Sequence, residues 1–288
     1  MKSTIINYLK RFIKSRAIYH TALLAIAITL LVAYPSQGKE AETVPAFRSL
    51  LASKNSKEER KIPIYSVETE EKKVSISFDA AWGADDTDTL LQILKDNDVL
   101  TTFFLCGTWV EKYPEDVKKI AVAGHDIANH GNKHAHGAKL NLEQNMAEIQ
   151  GCHDKIKEVT GMDANLFRPP YGEYNNTVIS AAENLNYFTI QWDVDSHDWM
   201  AKGPEYEIKR VLNHKNLRNG SIVLFHNDAK FTPQTLDPII KGLKEKGYEI
   251  VPISQLIYTE SFEIDKTGRQ KFASSSTAST PTPAPTTE

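Results

Sequence analysis

Residues 124–136 read GHDIANHGNKHAH and contain four of the nine histidines of the chain. The apolar centre of Asp126–Asn129 predicts a short strand that ends directly before His130. His130 and His134 are spaced i, i+4, so a helical turn would place both imidazoles on one face, about 5–6 Å apart. Two imidazole nitrogens at that separation can bind one divalent ion. The alternative interpretation is a polar surface turn, because this spacing alone is a weak signal and the HExxH motif of zinc peptidases is absent.

Strands and helices alternate on both sides of this stretch. The predicted strands are Val74–Phe78, Thr101–Leu105, Asp126–Asn129, Leu166–Arg168, Phe188–Trp192, Ile222–Phe225 and Glu249–Pro252. Between them, Thr87–Asp96 carries its leucines on one helical face, a second helix runs from Pro114 to just before Gly124, and a long helix begins after Asn141 and ends at Gly161. At the start of the domain, residues 62–69 and 73–79 are predicted to pair as a hairpin.

This order predicts an α/β fold with a parallel sheet, either a barrel of seven strands or a doubly wound open sheet. The position of the polar residues favours the barrel. Unusual polar side chains follow five different strands: Asp79, His130, Arg168, Asp195 with Asp198, and His226. In an open sheet such residues gather at one switch point, whereas in a TIM-like barrel they converge from around the ring.

The composition is that of one globular domain with appendages. The chain has 288 residues, of which 41% are hydrophobic and 25% charged, with a net charge of −3. A chain without a basic excess is not expected to bind nucleic acid. The two cysteines, Cys106 and Cys152, are predicted to be buried small hydrophobic residues rather than a disulfide.

The two ends of the chain differ from its middle. Basic residues 10–16 precede the apolar run 17–34, so residues 1–38 are predicted to be a signal peptide or a membrane anchor. The absence of an A-x-A site favours the anchor, with a secreted product as the alternative, and both put the domain outside the cytoplasm. Residues 39–61 are a predicted linker, residues 62–258 the domain, and residues 259–288 a disordered Ser/Thr/Pro-rich tail.

Five short motifs occur in order along the predicted domain. They are SFDAAWG (77–83), HGNKHAH (130–136), RPPYG (168–172), DSHDW (195–199) and LFH (224–226). Over about residues 74–257 the chain thereby resembles the polysaccharide deacetylase family, the family-four carbohydrate esterases with a NodB-homology domain. It is most similar to membrane-anchored or secreted cell-wall deacetylases of spore-forming Gram-positive bacteria. The resemblance implies a distorted (β/α)7 barrel.

The resemblance also implies a role for each matching residue. Asp79 would be the general base, oriented by Arg168, and His226 the general acid. His130 and His134 would bind a divalent metal ion, for which zinc, cobalt and nickel are equally suitable. The remaining roles are Asp198 holding His226, Tyr171 giving its backbone N–H to the oxyanion, and Trp199 with Leu224 lining the acetyl pocket. The alternatives are a solvated loop charge for Arg168, a core aromatic for Trp199 and a helix N-cap for Asp198.

One position departs from the family pattern. The first motif of the family usually has two adjacent aspartates, base then metal ligand, and here the second position is Ala80. Asp85 or Asp86 on the same loop, or Asp79 itself, would have to supply the third metal ligand.

The resemblance therefore implies metal-dependent de-N-acetylation of cell-wall glycan, with release of acetate from N-acetylglucosamine or N-acetylmuramic acid of peptidoglycan. Because a site that loses a carboxylate often loses metal affinity, a degenerate member that only binds envelope glycan is the alternative. A chitin or xylan deacetylase is a third interpretation, which the anchor and the lack of an appended binding module disfavour. The expected partners are the cell-wall polysaccharide and the membrane, and the expected state is a monomer.

Overall fold

The structure, a computed structural model, describes residues 59–273. Its strands are β1 (Ser66–Val67), β2 (Lys73–Ala80), β3 (Thr102–Leu105), β4 (Asp126–Asn129), β5 (Leu166–Phe167), β6 (Phe188–Thr189), β7 (Val194–Asp195), β8 (Ile222–His226), β9 (Glu249–Ile250), β10 (Phe262–Ile264) and β11 (Arg269–Phe272). Its α-helices are α1 (Thr87–Asp96), α2 (Gly107–Lys112), α3 (Pro114–Val122), α4 (Leu142–Thr160), α5 (Asn176–Asn184), α6 (Pro204–Leu212), α7 (Thr232–Glu245) and α8 (Ile253–Leu256). Short 3-10 helices cover Gly137–Lys139, Pro170–Gly172 and Asp198–Met200.

The main sheet is parallel and has β2 near its centre. Its strands are ordered β6-β5-β4-β3-β2-β8-β7, and β9 also pairs with β2. The two outer strands, β6 and β7, follow each other in the chain, yet no pairing joins them within residues 59–273. The sheet is therefore a parallel half-barrel covered by helices, which agrees with the predicted distorted barrel.

The residues of β2 alternate between two surroundings because successive side chains of a strand point to opposite faces. Ile76, Phe78 and their neighbours pack in the larger core with leucines of α1. A second cluster contains Phe104, Ala128, Leu166 and Ile222, from four strands of the main sheet, together with Ile190, which follows β6. Ser77 and Asp79 point away from the helices, so the strand that builds the core also carries polar groups to the other face.

Several helix boundaries agree with those predicted from the sequence. Helix α1 covers the predicted residues, and α3 begins at Pro114. Helix α4 begins with a capping box, in which the Asn141 side chain accepts from the backbone N–H of Gln144 and the Gln144 side chain accepts from the N–H of Asn141. It ends at Gly161, whose φ of 73° is the left-handed conformation that glycine adopts without strain. Cys106 and Cys152 are both buried and free, which confirms the prediction.

The predicted opening hairpin is wrong. Strand β1 pairs in parallel with β11, which in turn pairs antiparallel with β10. Strand β2 instead joins the main sheet between β3 and β8. The folded chain thus extends past residue 258, where the sequence predicted the domain to end, and residues 259–273 of the predicted tail contain β10 and β11.

The predicted signal or anchor (1–38), most of the linker (39–58) and the end of the tail (274–288) lie outside the described residues. Within residues 59–273, no helix combines the length and the apolar character needed to cross a bilayer.

Candidate functional site

A cavity of about 350 Å³ opens at the carboxyl ends of the parallel strands. It is lined by Asp79, Trp82, His130, His134, Tyr171, Gly172, Trp192, Asp195, Trp199, Leu224 and His226. The structure thus brings seven of the eleven residues singled out in the sequence to one cavity. Arg168 and Asp198 contact lining residues from behind, whereas Asp85 and Asp86 are not part of the lining.

Asp79 and Arg168 form a buried ion pair at the base of the cavity. The Nη1 group of Arg168 donates to Oδ1 of Asp79 at 2.7 Å, and its Nη2 donates to Oγ of Ser77 at 2.8 Å. The guanidinium also lies 4.0 Å from the ring centre of Phe104. Burial would raise the pKa of Asp79, but the charge and hydrogen bond of Arg168, together with the charge of His226, outweigh it and lower that pKa. Asp79 is therefore held as a carboxylate, and Arg168 is not a solvated loop charge.

His130 and His134 lie on a loop after β4, and not on a helix. His134 has a φ of 54°, a left-handed value that interrupts any helical turn. The two rings nevertheless lie 5.0 Å apart, centre to centre. The Nδ1 of His130 donates to the backbone oxygen of Arg168 at 2.8 Å, and its Nε2 lies 3.6 Å from Oδ2 of Asp79. That hydrogen bond fixes the tautomer, so Nε2 carries the free electron pair on the side of Asp79.

Burial lowers the pKa of His134 to about 4 and also lowers that of His130. Both imidazoles are therefore neutral, the form that binds a metal ion. The Nδ1 of His134 is buried and has no hydrogen-bond partner among the described residues. An orphaned imidazole nitrogen beside a second neutral imidazole is the observation that favours a metal ligand here.

His226 and Asp198 form a second pair, and His226 lies next to Asp79 in the pairing of β8 with β2. Asp198 is fully buried, and its Oδ1 accepts from Nδ1 of His226 at 2.8 Å. Its Oδ2 accepts from the backbone N–H of His226 at 2.6 Å and from Oγ1 of Thr232 at 3.0 Å. Burial lowers the pKa of His226, but the hydrogen bond and charge of Asp198 raise it to about 9. Asp198 also accepts from the backbone N–H of Trp199, but it is the first residue of the 3-10 turn and not its N-cap, which is His197.

The remaining lining residues form a largely aromatic wall. Leu224 is buried, whereas Trp199 is 60% exposed and is not a core residue. Tyr171 has a φ of 61°, and its ring stacks on His136 with centres 4.2 Å apart. Trp82, Trp192 and Asp195 also line the cavity. Asp195 was among the strand-end polar residues picked out in the sequence, and Trp82 lies within the SFDAAWG motif, but neither tryptophan was predicted to line the site.

Of the three candidates for the third metal ligand, only Asp79 lines the cavity. Asp86 directly precedes α1, and burial together with the charges of Asp85 and Asp228 raises its pKa. The side chain of Ala80 is fully buried within the larger core. Among the candidates, only Asp79 lies beside the two histidines.

The side chains at the cavity meet some of the requirements for binding a divalent ion, but not all of them. Two neutral imidazoles face one cavity, and a carboxylate oxygen lies 3.6 Å from one of them. Over the described range, however, no three His, Cys, Asp or Glu side chains converge closely enough to hold one ion. The site therefore offers two candidate protein ligands, and a third would need Asp79 to approach both rings.

Comparison with known proteins places this geometry in context. The polysaccharide deacetylase family model matches residues 66–190. The peptidoglycan-N-acetylglucosamine deacetylase of Bacillus cereus is 32% identical over 191 residues, which cover 65% of this chain and 69% of that protein. The uncharacterised protein YlxY of Bacillus subtilis is 31% identical over 195 residues, 68% of this chain. The chain spans 60% of the length of YlxY.

The solved structures that are similar include an inactive relative. A CE4 family pseudoenzyme from Bacillus anthracis is 32% identical, with a TM-score of 0.66 over 68% of this chain and 69% of that one. A mutant of that pseudoenzyme is described as having restored enzymatic activity, and it matches with the same TM-score. The fold is therefore shared by active deacetylases and by a protein that has lost the activity.

Proposed function

Because this chain belongs to the polysaccharide deacetylase family, we propose that it removes N-acetyl groups from a glycan of the bacterial cell wall, as a hydrolase of carbon–nitrogen bonds. The observation that carries the proposal is a pair of ionic units that meet at one cavity, where Asp79 and His226 lie next to each other on the paired strands β2 and β8. One holds a carboxylate, Asp79 with Arg168, and the other holds a protonated imidazole, His226 with Asp198. Amide hydrolysis needs one group that takes a proton and one that gives a proton.

The two units divide the reaction between them. Asp79 takes a proton from water as the water oxygen bonds to the acetyl carbonyl carbon. His226 then gives its proton to the sugar nitrogen as the carbon–nitrogen bond breaks, so that acetate and a free amine leave. The pKa of about 9 keeps His226 protonated at neutral pH, and the lowered pKa of Asp79 keeps it ionised.

Other side chains would bind and orient the substrate. Tyr171, at a left-handed turn, would direct its backbone N–H at the developing oxyanion, and Leu224 with Trp199 would contact the acetyl methyl group. His130 and His134 would hold a divalent ion, zinc, cobalt or nickel, which polarises an amide carbonyl when it is bound.

The test is acetate release by the purified full-length protein from peptidoglycan, with and without added zinc, cobalt or nickel. Mass spectrometry of the digested glycan then shows whether the free amine is on glucosamine or on muramic acid. Chitin and acetylxylan serve as competing substrates. Acetate release from peptidoglycan supports the proposal, and its absence with every metal would overturn it.

A second candidate function is a pseudoenzyme that binds envelope glycan without hydrolysing it. Ala80 favours it, because the usual metal-binding carboxylate is absent and the described residues offer no substitute other than Asp79. The similarity to a pseudoenzyme supports the same candidate. In both cases we propose a monomer outside the cytoplasm, either anchored by residues 1–38 or secreted.

A further inference from the structure

Aromatic side chains are exposed at the mouth of the cavity. In the described chain four large aromatic residues are more than half exposed, namely Trp82, Tyr171, Trp199 and Phe272. Three of these line the cavity, and Trp82 is 57% exposed. Exposed aromatic surface that is concentrated at one concave site, rather than scattered, marks a place where a ligand covers it.

The backbone that carries Trp82 is firmly held. The backbone N–H of Gly83 donates to Oδ2 of Asp228 at 3.1 Å. The backbone oxygen of Gly83 accepts from Nε1 of Trp109 at 2.8 Å and from Nδ2 of Asn227 at 2.6 Å. Three bonds to two separate parts of the fold fix this loop directly after β2. The backbone beside the indole is thus fixed before a ligand arrives, and less loop entropy is lost on binding.

One edge of the Trp82 indole already contacts another side chain of the protein. Its ring meets that of His134 in an edge arrangement with centres 4.7 Å apart, and His134 also meets Tyr171 at 4.5 Å. His134 therefore separates two exposed rings at the rim of the cavity. The solvent-facing surface of the indole has no protein partner in the described range. This surface is uncharged, so its exposure to water is not favoured.

We infer that Trp82 is a stacking platform for a pyranose ring of the glycan, and that this binding needs no metal ion. The apolar C–H face of a sugar fits the flat face of an indole, while the sugar hydroxyls remain in water. The choice of an N-acetylated glycan as the ligand rests on the proposed function. The platform itself does not, because an aromatic rim binds sugar whether or not the amide is then cleaved.

The experiment measures binding of N-acetylglucosamine tetramer to the full-length protein in excess chelator, by isothermal titration calorimetry. Trp82→Ala is expected to weaken the affinity by about 10-fold or more. Trp82→Phe, which keeps a flat ring, should retain most of it. Phe272→Ala removes an aromatic ring that is equally exposed but lies on β11, away from the cavity, and should leave the affinity unchanged. Thermal unfolding of each variant shows that it is folded.

Wild-type protein without measurable binding, or Trp82→Ala with wild-type affinity, would overturn the inference. If Trp82→Ala loses binding and the wild-type protein releases no acetate from peptidoglycan, the platform is supported and the proposed hydrolysis is refuted. The two ideas can therefore fail separately.

Discussion

Arg168 donates to Asp79 across 2.7 Å, and both side chains are buried at the base of the cavity. Asp79 comes from the end of β2 and Arg168 follows β5, which is three places away in the sheet. The pair therefore joins strands that are not neighbours. Arg168 also keeps Asp79, the residue that would act as the base, in its charged form.

Replacing Arg168 by Met should affect both stability and pH dependence. Removal of one partner of a buried ion pair typically costs about 3–5 kcal/mol, because the other charge stays buried. The pKa of Asp79 should rise, since burial then acts with less opposition, and the acidic limb of the activity profile should move to higher pH. Urea unfolding and acetate release against pH measure the two effects. The control is Arg60→Met, an exposed arginine. An acidic limb that does not move would mean that Arg168 does not tune Asp79.

Replacing His130 by Ala should remove bound metal and activity while the fold remains. His130 supplies an imidazole with a fixed tautomer, and no other described side chain can take its place beside His134. Elemental analysis of the purified variant measures the metal, and circular dichroism checks the fold. His214→Ala, a histidine on the turn after α6, is the control. Unchanged metal content in His130→Ala would refute the assignment of this ligand.

The positions of most strands of the main sheet were predictable from the sequence because buried parallel strands are short apolar runs. Strand β7 (Val194–Asp195) and the order of the strands in the sheet were not predicted. The pairing of β1 with β11 was not predictable either, since Val67 and Gln270 are far apart in sequence and local pattern does not encode long-range pairing. The i, i+4 spacing of His130 and His134 would have brought their rings together on a helical turn, but the segment is a loop. Their rings come together through a left-handed turn at His134, which side-chain spacing does not show.

Replacing Asp198 by Asn should move the alkaline limb of the activity profile downward. The hydrogen bond and the charge of Asp198 outweigh burial and raise the pKa of His226 from 6.5 to about 9, so protonated His226 persists well above neutral pH. Without the charge of Asp198, burial is opposed by the smaller effects of Asp79 and Asp195, and the pKa falls. The wild-type limb should therefore lie near pH 9 and the variant limb at lower pH. Asp163→Asn, an exposed residue distant in the fold, is the control. A limb that stays in place would show that Asp198 does not control the protonation of His226.

Glu207 should make stability fall as the pH rises. It is fully buried on α6, its Oε2 accepts from Oγ1 of Thr235 at 3.0 Å, and its Oε1 has no partner among the described residues. Burial raises its pKa from 4.5 to about 7, so the folded protein keeps a proton that the unfolded chain has lost. Its contribution is therefore complete below pH 4.5 and declines as the pH rises towards 7.

Glu207→Gln removes this titration while keeping the shape of the side chain. The melting temperature of the variant, relative to wild type, should be higher at pH 8 than at pH 4.5. Glu205→Gln, an exposed change on the same helix, is the control. Parallel curves for wild type and Glu207→Gln across this range would show that Glu207 does not titrate there.

Ala80 is the position that decides between the two candidate functions. Its side chain is buried, and Asp85 and Asp86 do not line the cavity, so Asp85→Ala and Asp86→Ala should leave zinc affinity unchanged. Ala80→Asp should lower the melting temperature without metal, because it buries a charge, and zinc should restore it. If the new carboxylate becomes the third ligand, zinc affinity should rise by about 10–100-fold.

Ala80→Asn, which has the same shape without the charge, separates coordination from packing. Equal zinc affinity in Ala80→Asp and Ala80→Asn would show that position 80 does not reach the ion. Acetate release that appears only in Ala80→Asp would identify the natural protein as the glycan-binding relative.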